Sequence, residues 1–129
     1  MAVKFLTDEW AKALTEACNA DAKFTKASKG ASAVFQVNVE GSPQAEAFTM
    51  TWTGGQLEVT TRAAPGTPDV TLNLNYDTMV ELSKGTLNGP LAVATGRMKA
   101  EGNMEKMFAL GKAMDQLPTI EAGIGLEYE

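Results

Sequence analysis

Few side chains in this chain of 129 residues are able to carry covalent or proton-transfer chemistry. There is no histidine, so the usual general base and the commonest transition-metal ligand are both missing, and triads and imidazole shuttles are excluded. The one cysteine, Cys18, rules out an intrachain disulfide and a thiolate cage for zinc. One helical turn beyond Leu14, it reads as a small hydrophobe on a helix face. What remains for acid–base work is Asp77 beside Tyr76, the carboxylate and phenol pairing of some small isomerases. Against that reading, Asp77 falls in a predicted first helical turn, where acids are common because of the helix dipole. A carboxylate deep in a pocket with a strongly raised pKa would favour catalysis. No metal or cofactor is expected.

The other chemistry in the residue types is apolar binding. Met50, Met79, Met98, Met104, Met107 and Met114 all fall on faces that the local periodicity turns inward, and methionine's flexible thioether lets a wall refit around differently shaped ligands. A methionine stripe at helical spacing is also what an ordinary core uses. Lys23, Lys26 and Lys29, three apart around Phe24, share a face if that segment is helical; they read as a solvated face or as a weak contact for anionic headgroups. Arg97 and Lys99 are further headgroup candidates, although alternation turns them away from Met98.

These residues need elements to hold them. Thr7 caps a first helix with Asp8 and Glu9 in its first turn, and Trp10, Leu14, Ala17 and Cys18 form its buried stripe. Period two then takes over. Phe35, Val37 and Val39 alternate with Val34, Gln36, Asn38 and Glu40, Phe48, Met50 and Trp52 alternate with threonines, and Gly54-Gly55 turns a hairpin into Leu57 and Val59, giving an antiparallel meander. After a loop through Pro65 and Pro68, a fourth strand holds Val70, Leu72 and Leu74. It feeds a helix capped by Asn75 and stopped at Gly85, with Met79 and Val80 inward. Asn88-Gly89-Pro90 starts a short helix whose apolar side is Leu91, Val93 and Ala94. Met98 and Ala100 mark a fifth strand, Gly102 turns and Asn103 caps, and Met104, Met107, Phe108, Gly111, Met114 and Leu117 line one face of a long helix that Pro118 ends. Gly111, in mid-helix, suggests a close approach or a space left open.

The ordered set from Asp69 to Leu117 resembles the SCP-2 sterol carrier family. It carries an alternating strand, Asp69-Val70-Thr71-Leu72, then Lys84-Gly85-Thr86-Leu87-Asn88, and then Gly96-Arg97-Met98-Lys99-Ala100-Glu101-Gly102-Asn103-Met104. An extra Gly89 precedes Pro90. The N-terminal half agrees in architecture, with Trp52 and the hairpin glycines also familiar. The resemblance implies an α+β fold: a five-stranded mixed, mostly antiparallel sheet covered on one side by about five helices and enclosing an apolar tunnel. It also implies no catalytic residues and binding of fatty acids, acyl-CoA, sterols or similar hydrophobic molecules. Phe35, Phe48, Met50, Trp52, Met79, Met98, Met104, Met107, Phe108 and Met114 are the expected tunnel wall.

Length and charge agree with a single domain over residues 1–129, and the net charge of −5 opposes nucleic acid. No apolar run is long enough to span a bilayer, and neither a secretory leader nor a peroxisomal Ser-Lys-Leu ending is present, so the chain reads as a cytoplasmic carrier of bacterial type. A monomer or homodimer with transient membrane contact is expected. The alternatives are a non-catalytic module supporting a partner enzyme and a small acid–base isomerase. Residues 119–129, with Ile120, Ile124 and Leu126 spread among glycines, are poor helix material. They either plug the tunnel, so that their deletion speeds lipid exchange, or lie on the surface.

Overall fold

Alternation along residues 33–39 puts Ala33, Phe35, Val37 and Val39 on one face, all buried, and Val34, Gln36 and Asn38 on the other. This is the central strand of the sheet in the computed structural model, which describes residues 2–128. The chain runs β1 (Val3–Lys4), α1 (Asp8–Ala20), α2 (Ala22–Ser28), β2 (Ser32–Glu40), β3 (Ala47–Thr53), β4 (Gln56–Thr60) and β5 (Val70–Asn75). It continues as α3 (Tyr76–Lys84), α4 (Gly89–Ala94), β6 (Met98–Gly102), α5 (Met104–Ala109), α6 (Gly111–Met114), α7 (Leu117–Ile124) and β7 (Leu126–Glu127).

The five-stranded sheet has the order β4-β3-β2-β5-β6. Only β2 and β5 run parallel; the other pairs are antiparallel, so the sheet is mixed and mostly antiparallel as expected. Register aligns the apolar positions across it, with Phe35 opposite both Met50 and Val70, Trp52 opposite Ala33 and Leu57, and Leu74 opposite Met98. The opposite face pairs Gln36 with Thr49 and Thr71, and Asn38 with Asn73, whose side chains hydrogen-bond at 2.9 Å. An apolar face of this kind has to be covered, and helices cover it.

The helix caps are local. Thr7, Asn75, Asn88 and Asn103 accept from Trp10 N (3.2 Å), Thr78 N (2.9 Å), Leu91 N (2.8 Å) and Lys106 N (3.2 Å). Gly54 and Gly55 both take positive φ, 50° and 95°, as a two-residue hairpin turn requires. Gly102 is more constrained: at φ 110° its absent Cβ would lie 2.2 Å from the carbonyl oxygen of Asp69. Asn103 N donates to that same oxygen at 2.7 Å, so the β6–α5 corner is built on close backbone contact with the start of β5. Asp69 adds to it by accepting from Val34 N at 2.8 Å and Lys106 Nζ at 3.1 Å.

Four expectations are corrected. The long C-terminal helix is three segments, α5, α6 and α7, breaking at Leu110 (φ −98°, ψ 3°) and around Gln116. Pro118 begins α7 instead of ending a helix, because a first turn needs no proline N–H. The breaks rotate the face: Leu110 and Ala113 are fully buried, whereas Phe108 is 77 % exposed. On α4 the buried residue is Ala92, and Leu91 and Val93 face outward, so the apolar side chains expected to dock it do not. Residues 119–127 are ordered as most of α7 and as β7, the latter paired parallel with β1, an element without a sequence signal. At Gly111 the second of the two expected readings holds: space is open, with nothing within 4 Å of where its Cβ would be.

Candidate functional site

The residues expected to form an apolar wall lie in both layers. Phe35, Phe48, Met50, Trp52 and Met98 are buried on the inner face of the sheet. Met79 of α3, Met104 and Met107 of α5, and Met114 of α6 are partly buried and pack against that core. Phe108 does not join them. Trp52 stacks on Phe24 of α2 with centroids 5.6 Å apart and lies 5.8 Å from Phe35, so Phe24, Phe35 and Trp52 form one contact group. Within it the indole Nε1 of Trp52 has no hydrogen-bond partner among the described residues, nor has the buried hydroxyl of Thr78. A buried donor without an acceptor is unusual and costs about 1–3 kcal/mol.

A second cluster was missed by the sequence reading. Glu121 of α7 is 4 % exposed, accepting at Oε1 from Trp10 Nε1 (3.1 Å) and at Oε2 from Ser83 Oγ (2.8 Å). Ser83 Oγ also lies 2.8 Å from the hydroxyl of Tyr128, and Lys84 Nζ stands 4.8 Å above that tyrosine ring. Phe5 packs on the rings of Trp10 (5.4 Å) and Tyr128 (5.0 Å). Burial pushes the Glu121 carboxyl up to about 7, against the pull of its two hydrogen bonds. Burial, reinforced by Glu121 and Asp21, also pushes the Cys18 thiol up to about 12, in keeping with its expected role as a small hydrophobe. The signal for Glu121 was available: residues 117, 120, 121 and 124 have the spacing of one helix face, with an acid on an otherwise apolar stripe.

The expected acid–base pair is not brought together around a pocket. Asp77 is exposed at the start of α3, while Tyr76 is buried beside Phe5 at 6.4 Å. Glu121 has the raised pKa that catalysis would want, but both of its oxygens are taken by Trp10 and Ser83. Arg97 is engaged by Glu81, and Lys99 lies on the outer face opposite Asn73. Lys23, Lys26 and Lys29 are exposed on and just after α2. Two open grooves of about 520 and 560 Å³ are lined by Asp8, Lys12 and Arg62, and by Asn38, Glu46 and Arg97, respectively; neither includes any residue of the expected wall. Among the described residues no set of three or more Cys, Asp or Glu is placed to hold a metal ion, and no helix is long and apolar enough to cross a membrane.

The SCP-2 sterol transfer family matches residues 11–115, the span from α1 to the end of α6. The chain belongs to this family. The SCP-2 fold extends over nearly the whole chain: a crystal structure of sterol carrier protein 2 superposes with a TM-score of 0.76 at 17 % identity, covering 95 % of this chain and 100 % of that one. A Thermus thermophilus protein described as possibly a sterol carrier protein gives 0.80 at 16 % identity, over 98 % and 94 % of the two chains. In sequence, the chain is 25 % identical over 96 residues to peroxisomal multifunctional enzyme A of Dictyostelium discoideum, covering 74 % of this chain. It spans 22 % of that enzyme's length. The SCP-2 match takes in every residue of the expected wall and Ser83, but Trp10, Glu121 and Tyr128 fall outside it.

Proposed function

We propose that this chain is a non-catalytic cytoplasmic carrier that binds a fatty acid, fatty acyl-CoA, sterol or similar lipid between the inner face of the sheet and helices α3, α5 and α6. The observation that carries the reading is the composition of that interior: Phe35, Phe48, Met50, Trp52 and Met98 of the sheet and the partly buried methionines of the helices belong to one apolar core, which holds an indole N–H that no group among the described residues accepts. An apolar site with a single polar handle holds a lipid by burial and orients it by one hydrogen bond. Methionine on both walls suits ligands of more than one shape. Neither of the two open grooves borders this interior, so lipid enters by movement of the helical layer. Exposed lysines on α2 supply a transient contact with anionic membrane.

Burying a chain of about 15 methylenes yields on the order of 12 kcal/mol gross at about 0.8 kcal/mol each. Ordering of ligand and wall reduces this to a dissociation constant of about 1 μM or below. The test is native mass spectrometry of protein purified without organic solvent, followed by titration with a fluorescent fatty acid and a fluorescent sterol. Copurified lipid or saturable binding supports the reading. A protein that is empty and takes up neither probe overturns it.

A further inference from the structure

The C-terminal segment is attached to the domain through side chains that lipid binding leaves unused. α7 turns Leu117, Ile120, Glu121 and Ile124 to one side; the three apolar residues pack on the core, and the acid sits in the middle of them. A carboxyl placed there must find donors or give up its charge. Its two donors come from different elements, Trp10 on α1 and Ser83 on α3, and Ser83 is in turn tied to Tyr128 just after β7. The segment is therefore fastened across the groove between α1 and α3 at one buried point. It is also held by the apolar packing of Leu117, Ile120 and Ile124, by Tyr128 against Phe5, and by β7, two residues long and paired with β1, which is equally short.

The ionisable groups around that point do not neutralise it. From α1 the group facing Glu121 is the thiol of Cys18. From α3, Lys84 lies over the Tyr128 ring, Glu81 is engaged by Arg97, and Asp77 adds to the field at Arg97. Tyr128 faces Glu121 from the C-terminal side and Tyr76 acts on Tyr128, while Lys4 and Glu127 are exposed on the paired strands β1 and β7. Among the described residues no cation contributes to the state of the Glu121 carboxyl.

We propose that α7 and β7 form a pH-gated cover: with Glu121 protonated the segment stays seated over the α1–α3 groove, its carboxyl lodged between Trp10 and Ser83, and ionised Glu121, whose buried charge those two donors do not offset, lifts it to admit lipid. The gate stands on the geometry of the clasp; only the identity of what enters rests on the carrier reading. When the segment lifts, Glu121 regains water and its ordinary value of 4.5, whereas closed it titrates at about 7. The closed form therefore holds the extra proton, and opening rises with pH between those two values. From pH 6 to pH 8 the opening constant increases about tenfold. Cys18, pushed up to about 12, and Tyr128, raised above 10.0, titrate beyond this window and do not mask the effect.

The experiment is hydrogen–deuterium exchange of peptides covering residues 117–128 at pH 6 and pH 8, corrected for intrinsic chemical exchange, on the wild-type chain and on Glu121→Gln. In parallel, the uptake rate of dehydroergosterol, whose charge does not change with pH, is measured at both values. The expected result is about tenfold more opening and faster uptake at pH 8 in the wild type, with both flattened in Glu121→Gln. Tyr128→Phe, which removes the phenol from Ser83, should open the segment at both pH values while keeping the tenfold ratio, and it serves alone if Glu121→Gln does not fold. Opening that is independent of pH in the wild type, or equally dependent in Glu121→Gln, overturns the gate. Gated opening without uptake of sterol or fatty acid at either pH leaves the gate standing and overturns the carrier reading.

Discussion

Global stability should fall as pH rises from 5 to 8, and Glu121 should account for most of the loss. Its carboxyl is raised from 4.5 to about 7 in the folded chain because burial penalises the charged form more than Trp10 and Ser83 stabilise it. A raised acid means that the folded state binds more protons than the unfolded one, so its contribution is intact below 4.5 and is lost progressively up to about 7. Between pH 5 and pH 8 the loss is about 2.5 kcal/mol. The other shifted carboxyls do not obscure it: Asp69 and Glu81 are lowered, their contributions grow with rising pH, and those changes are nearly complete by pH 5. Urea denaturation of the wild type and of Glu121→Gln at both pH values reads the difference directly. Glutamine keeps an acceptor for Trp10 but cannot ionise, so its midpoint should be nearly independent of pH. A wild type that gains stability from pH 5 to pH 8, or a slope shared by the two proteins, would refute the assignment.

Two glycine substitutions should part company. Gly102→Ala drives a Cβ to 2.2 Å from the Asp69 carbonyl oxygen at φ 110°, where only backbone can yield, so it should cost more than about 3 kcal/mol or prevent folding in a thermal melt. Gly111→Ala meets nothing within 4 Å and should stabilise by up to about 1 kcal/mol. Phe108→Ser should leave stability within about 0.5 kcal/mol and lipid affinity unchanged, because that ring is 77 % exposed; a large loss of affinity would place it in the binding wall after all. Cys18, buried with its thiol pushed up to about 12, should resist a thiol reagent at pH 8 until the chain is unfolded, as followed by mass spectrometry.

The sheet was legible because its strands carry a period of two: 33–39, 48–52 and 70–74 each turn one row of apolar residues into the core, and register then forces Phe35, Met50 and Val70 together. The caps were legible because Thr7, Asn75, Asn88 and Asn103 act within three residues of their own position. What failed is tertiary. Between 104 and 117 apolar residues lie at both the expected positions and at Leu110 and Ala113, so two faces compete and packing decides between them by breaking the helix. β1 and β7, two residues each, are too short to show any period. Tail residues 119–124 join α7, which begins with Pro118 in its first turn and ends against Gly125 in the left-handed region, two residue types that read as breakers when no partner is in view.

The same terminal elements bear on how the domain is closed. β1 delivers Phe5 to the rings of Trp10, Tyr76 and Tyr128, and Trp10 in turn meets Phe48 of the sheet at 5.1 Å, so the segments after β1 and β7 meet around one aromatic group. In such surroundings an apolar residue at position 121 would continue the stripe of Leu117, Ile120 and Ile124 without desolvating a charge. A glutamate there works against the stability of the closed segment above neutrality, and the conflict sits at a side chain that hydrogen-bonds both α1 and α3. Local conflicts of this kind concentrate where a structure has to change state. The position of the conflict is therefore an argument for motion of α7 and β7 in particular. The sheet and its caps, where pattern, register and hydrogen bonding agree, stay in place while the cover moves.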